Sequence, residues 1–181
     1  MNVHRKFTKS RSLGLACSVL AISVCGTAVA GRLDEPHYTM SIIVDAVYGN
    51  KVLSKDYDVV ISRLESSERD GIRSFYASTN LCVAYLKTGD YEGAKSSCDR
   101  AVSTIRNEID TDRDMKRDSY KARMYRTFLA VALSNRGVTH AVTGSPELAR
   151  DDFTSAMKVD TDMREPEVNL ARLSNVDSPS A

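Results

Sequence analysis

One set of intervals constrains this chain more than any other feature. Asn80, Gly89, Ala94, Cys98 and Ala101 are followed, at a constant offset of 55, by Asn135, Gly144, Ala149, Phe153 and Ala156, so each spacing occurs twice. A set of intervals carried twice marks a repeated supersecondary unit, which buries its apolar face against its neighbours. Each copy has helical periodicity on both sides of its glycine. Tyr76, Leu81, Ala84 and Tyr85 recur before Gly89. Ala94, Cys98 and Ala101 follow it at steps of four and three, which places them on one helix face. Gly89 and Gly144 stand where a helix ends and the backbone needs a left-handed residue. Ala94, Ala101, Ala149 and Ala156 are small where two helices must approach. The unit is a helix hairpin.

The register continues at a shorter period. Lys55-Asp56-Tyr57-Asp58 precedes Gly89-Asp90-Tyr91-Glu92 at an offset of 34, with Val60 and Leu64 matching Ala94 and Cys98. Asn169-Leu170-Ala171 follows Asn135-Arg136-Gly137 at the same offset. The central step of 55 is therefore 34 plus an insertion of 21 between Val102 and Val131. The run Asn80-Leu81-x-x-Ala84-Tyr85-x-x-x-Gly89-Asp90-Tyr91-x-x-Ala94, with Ala101 seven further on, resembles the tetratricopeptide repeat (TPR), whose period is about 34 residues. The resemblance spans roughly residues 45–175 and implies an all-α fold of antiparallel helix hairpins, stacked as a short right-handed solenoid. The clear repeats are about 75–102 and 131–160, with the insertion at about 103–130, inside a helical domain of 51–175. Four positions depart from the pattern: Arg136 replaces an apolar residue, His140 an aromatic, Cys82 a Gly or Ala, and Ser67 an Ala.

The insertion begins charged, from Arg106 to Asp118, and turns apolar-periodic at Tyr120, Met124, Phe128 and Val131. It predicts a helix from Tyr91 to about Ile109, a bend near Thr111–Arg113, and a long helix over about 115–142. Interleaved acids and bases on a helix read as a solvated face. Residues 31–50 have no decided period, with Met40, Ile42, Ile43, Val44 and Val47 compatible with a short strand or a helix. Residues 176–181 read as a disordered tail.

The N-terminus reads as an address. Arg5, Lys6, Lys9 and Arg11 precede an apolar stretch from Leu13 to Ala30 that closes on Ala28-Val29-Ala30. A basic start, an apolar middle and small residues at the exit form a secretory signal, expected to be cut after Ala30. The alternative is a membrane-anchoring helix, for which a stretch of this length is the low end of a span. The signal predicts a periplasmic protein, or a secreted one as second choice, with no membrane attachment after cleavage. The 25 basic residues less these four leave 21 against 24 acidic ones, a formal charge of −3 for the remainder. That balance offers no basic face for nucleic acid.

Cys82 and Cys98 are the cysteines left after cleavage. Export would place them where even counts pair. They are symmetric about the turn at residue 90, both on the inward stripe, so a hairpin would set them level. A disulfide closing about 15 residues would contribute about 3 kcal/mol. Against it, packed helices lie about 8–10 Å apart and a disulfide needs Cα atoms within about 7 Å. Two buried thiols are the alternative.

No chemistry-bearing motif accompanies the repeat. His37 and His140 are far apart, and no phosphate-binding glycine loop, nucleophile elbow or EF-hand occurs. Asp151-Asp152 reads as a helix-start feature, favoured there by the helix dipole. The expectation is a chain with no enzymatic activity, no cofactor and no metal. The TPR resemblance implies a groove lined by the first helix of each pair: Tyr76, Thr79, Val83 and Leu86, then Val131, Ser134, Val138 and Ala141. That stripe is apolar and small and suits an apolar helix or extended peptide. The expected function is a protein- or peptide-binding scaffold of the cell envelope. The stripe could equally be covered by the chain's own residues 31–50 or by a second copy, and the alternative function is a self-associating structural envelope protein, such as a homodimer, that uses the groove for its own oligomer.

Overall fold

The computed structural model describes residues 38–69, 74–112 and 119–176. The expected signal segment, the charged stretch 113–118 and all but the first residue of the expected tail 176–181 lie outside them. The described residues are all-helical: α1 (Gly49–Leu53), α2 (Tyr57–Arg69), α3 (Phe75–Thr88), α4 (Tyr91–Thr111), α5 (Tyr120–Val142), α6 (Pro146–Val159) and α7 (Glu165–Val176). Each helix packs on the next, and α1, α3, α5 and α7 also touch one another in that order. Among the described residues α2, α4 and α6 have no such mutual packing. The odd-numbered helices are therefore linked to one another in chain order, and each even-numbered helix packs on its two neighbours.

The turns within the pairs are built alike. Lys55, Gly89 and Gly144, equivalent in the repeat register, take φ of 64°, 82° and 78°. The following amides close back across the turn, from Asp56 to the Lys51 carbonyl (2.9 Å), from Asp90 to Tyr85 (3.0 Å) and from Ser145 to His140 (2.8 Å). This is a Schellman closure, which satisfies helix-end carbonyls only if one residue turns left-handed. The next helix starts at once: Asp90 caps α4 by accepting from the Gly93 amide, and Pro146, after Ser145, opens α6 at a position where its missing N–H costs nothing.

Among the described residues the insertion lengthens two consecutive helices. Helix α4 runs 21 residues and α5 runs 23, against 14 each for α3 and α6. Their extra turns carry Ile105, Ile109, Tyr125 and Phe128, which pack with Phe75 and Tyr76. The rings of Phe75, Tyr76 and Phe128 lie 5.1–5.5 Å apart in edge and tilted contacts. Ser119 caps α5 by accepting from the Ala122 amide.

Between helices of a pair the small residues carry the close approach. Ala94, Ala101, Ala149 and Ala156 are buried. A Cβ on Gly93 would stand 2.9 Å from the Tyr85 ring. Cys82 and Cys98 consequently lie at disulfide distance, with Cα atoms 5.0 Å apart. In the next pair the same two positions are Gly137 and Phe153.

Candidate functional site: an asparagine-lined groove

Residues 38–43 form neither a helix nor a strand of a sheet. They run extended across the odd-numbered helices, held by one asparagine from each of three of them. The Thr39 amide donates to Asn169 Oδ1 (2.8 Å), and Asn169 Nδ2 donates to the Thr39 carbonyl (2.7 Å). Ser41 makes the same pair of bonds with Asn135, both 2.8 Å. Ile43 makes it with Asn80, at 3.0 and 3.2 Å. The segment thus runs opposite to the order of the helices, advancing two residues for each odd-numbered helix it crosses.

The chemistry explains the spacing. A primary amide carries a donor and an acceptor side by side, as does the edge of a neighbouring β-strand, so one asparagine satisfies the N–H and C=O of one residue. Extended chain repeats every two residues, so the residues presenting their main chain to the same side are i, i+2 and i+4. Asn80, Asn135 and Asn169 are each at most 1% exposed. A buried amide left without partners costs about 1–3 kcal/mol, so the asparagines demand an occupant.

The alternate side chains are held by apolar contacts with the same helices. Tyr38 and Met40 pack against the cluster containing Leu86, Val138 and Phe153, and Met40 and Ile42 against that containing Val83 and Leu81. The Tyr38 and Phe153 rings stack at 6.4 Å. Ile43 joins the cluster around Phe75 and Tyr76. Arg172 Nη1 adds a bond to Thr39 Oγ1 at 3.1 Å.

Of the stripe expected from the sequence, Thr79, Val83, Leu86, Val131, Ser134 and Val138 are buried, while Tyr76 and Ala141 are half-buried. Thr79 turns its hydroxyl back to the Phe75 carbonyl (2.9 Å). Residues 38–43 pack on the clusters that hold Val83, Leu86 and Val138 of this stripe. The asparagines are the candidate site residues that the stripe leaves out: their equivalence is visible as a repeat position, but not that a buried amide bonds a distant main chain.

Two departures from the repeat pattern form a second polar cluster. Arg136 gives Asp152 two bonds, Nε to Oδ2 (2.8 Å) and Nη2 to Oδ1 (2.7 Å), and reaches Asp99 at 3.2 Å. Asp152 is only 6% exposed, so its place is an ion pair between α5 and α6 more than a contact with the helix start. His140 Nε2 lies 3.7 Å from Asp152 Oδ2. Burial pushes the His140 pKa below its ordinary value; the Asp152 and Asp99 charges oppose that shift, and Arg136 and Lys95 reinforce it. Thr139 lies between this cluster and the disulfide, its Oγ1 3.1 Å from Cys98 Sγ and bonded to the Asn135 carbonyl (3.1 Å).

Among the described residues no group of His, Cys, Asp or Glu is arranged to hold a metal, and no helix is long and apolar enough to cross a membrane. Compared with protein-family models, curated proteins and solved structures, the chain gives no match in any of the three.

Proposed function

We propose that this chain is a non-enzymatic binding scaffold, a short TPR-like solenoid whose groove grips extended polypeptide by its main chain. One observation carries the reading: Asn80, Asn135 and Asn169 each hold the N–H and C=O of a single residue, at every second position of one extended segment. Three buried amides at one repeat position have no packing rationale, since an apolar residue would fill the same space without needing hydrogen-bond partners. Main-chain recognition supplies affinity, and the pockets taken by Tyr38, Met40 and Ile42 supply selectivity for large apolar side chains at alternate positions. The basic and apolar N-terminus supports export, and an oxidising compartment suits the Cys82–Cys98 pair. The partner we propose is therefore a protein or peptide segment of the cell envelope.

The test uses a labelled peptide of the sequence Tyr38–Val44. Its binding is measured to the full chain carrying Ser41→Pro, which removes the N–H that Asn135 accepts and frees the groove. Binding to that variant, lost when Asn135→Ala is added, supports the reading. Binding indifferent to Asn135, or none, contradicts it. A second reading, a self-associating structural protein, is favoured by the strain of the turn that leads out of the groove.

A further inference from the structure

That turn is the least comfortable backbone among the described residues. Val47 and Tyr48 take φ of 33° and 60°, left-handed values that favour glycine and are unusual for β-branched and aromatic residues. The turn is also tight. A Cβ on Gly49 would fall 1.9 Å from the Ile43 carbonyl oxygen, and Asn80 Nδ2 is shared among the carbonyls of Ile43, Ala46 and Val47, each at 3.2 Å. Large apolar side chains gather at the same place. Val44, Val47, Tyr48 and Leu53 are 43%, 38%, 40% and 64% exposed, so four exposed hydrophobics fall in one short stretch of chain.

We propose that the groove takes residues 38–44 of a second copy, exchanged reciprocally so that two chains form a dimer. The inference rests on the asparagine-groove reading above and names its partner. An identical segment reproduces the paired bonds of Thr39, Ser41 and Ile43 to Asn169, Asn135 and Asn80 and the apolar contacts of Tyr38, Met40 and Ile42, and the groove gives up only the bonds of Asn80 Nδ2 to the Ala46 and Val47 carbonyls of the turn. What differs between the closed and exchanged forms is the turn at 45–48. In the exchanged form Val47 and Tyr48 leave the left-handed region, and the strain they hold is released. The two linkers then cross beside one another, which covers the apolar side chains of Val44, Val47, Tyr48 and Leu53. A strained, short hinge joined to an exchangeable element is the ordinary route to a swapped dimer.

The experiment is sedimentation of the full chain over a range of concentrations, with amide exchange at Thr39, Ser41 and Ile43 on the same samples. Deleting Val47 and Tyr48 leaves a linker too short to turn back, and this variant is expected to sediment as a dimer with the three amides protected. Adding Ser41→Pro to it is expected to return it to monomer. Val47→Gly with Tyr48→Gly relaxes the closed form instead, and is expected to raise the dimer dissociation constant of the full-length chain by about tenfold or more. A folded deletion variant that stays monomeric with unprotected amides overturns the exchange and leaves the groove reading intact, provided the unaltered chain protects them. If the deletion variant does not fold, the glycine pair decides: a dimer constant that does not move, or an unaltered chain that never dimerises, overturns it. Unprotected amides in the unaltered chain overturn the groove reading itself.

Discussion

Gly137 lies so close to Phe153 that a Cβ on it would stand 2.6 Å from the Cε1 of the ring. In the preceding pair the two equivalent positions are Cys82 and Cys98, at disulfide distance. One interhelix contact is thus made by a glycine under an aromatic ring in one hairpin and by a pair of sulfurs in the other. Phe153 is wholly buried and has no room to retreat. Gly137→Ala should therefore destabilise the chain by about 1–2 kcal/mol in urea denaturation, overpacking outweighing the roughly 1 kcal/mol that alanine gains in a helix. A neutral or stabilising result would show that the two helices can part at that point.

Reducing the Cys82–Cys98 bond should cost about 3 kcal/mol, from the entropy of a loop of about 15 residues. The measurement is the shift in urea midpoint of the oxidised protein on adding reductant, against a Cys82→Ala, Cys98→Ala control that should not respond.

The three left-handed turn residues give a prediction of opposite sign at equivalent positions. Lys55 has φ of 64° where the other pairs have glycine. Lys55→Gly should stabilise by about 1 kcal/mol, since a side chain in that region costs roughly 1–2 kcal/mol. Gly89→Ala should destabilise by a similar amount even though nothing lies within 4 Å of the added Cβ, because the penalty is the backbone's own. Thermal unfolding of the two variants compares them directly, and equal signs would refute the shared turn geometry.

Arg136 and Asp152 stand where the preceding pair has Leu81 and Ser97. Removing Asp152 leaves Arg136 with only the exposed Asp99 as a partner, so Asp152→Ala should cost about 1–3 kcal/mol. Arg136→Leu with Asp152→Ser restores the residues of the other hairpin and should recover most of that loss. A double variant as unstable as the single one would mean that the pair holds α5 and α6 in a geometry that apolar packing cannot replace.

Much of this architecture was legible. The intervals from Asn80 to Ala101 and from Asn135 to Ala156 located two pairs and their turns, because left-handed glycines and close-packed alanines are demanded by local geometry. The α4 expectation of Tyr91 to about Ile109 meets a helix ending at Thr111, and that of about 115–142 meets Tyr120–Val142. Residues 38–48 were not legible as a strand or a helix because they are neither: their hydrogen bonds come from side chains far along the chain, as from Asn169 to Thr39. Nor did the pattern give the asparagines a role, since an amide inside a helix identifies no partner. Arg136, a departure from the repeat, and Asp152, a helix-start residue in sequence, acquire their meaning only from each other.

His140 brings a pH dependence. Its folded pKa is lowered, chiefly by burial, so the unfolded chain binds the proton more readily. The neutral ring's contribution is complete above its unfolded value of about 6.5 and is lost as pH falls through the lower folded value. The melting temperature should therefore decline as pH falls below about 6.5, and His140→Phe, the aromatic expected from the repeat, should reduce that slope. An unchanged slope would assign it to other groups.

If three asparagines hold one extended segment by its main chain, amide hydrogen exchange at Thr39, Ser41 and Ile43 reads that hold bond by bond. In the unaltered chain these three amides should be protected while that of the exposed Val44 exchanges quickly. Asn135→Ala should strip protection from Ser41 first, with the helices intact. Rapid exchange at all three in the unaltered protein, or protection of Ser41 that survives the loss of Asn135, would contradict it.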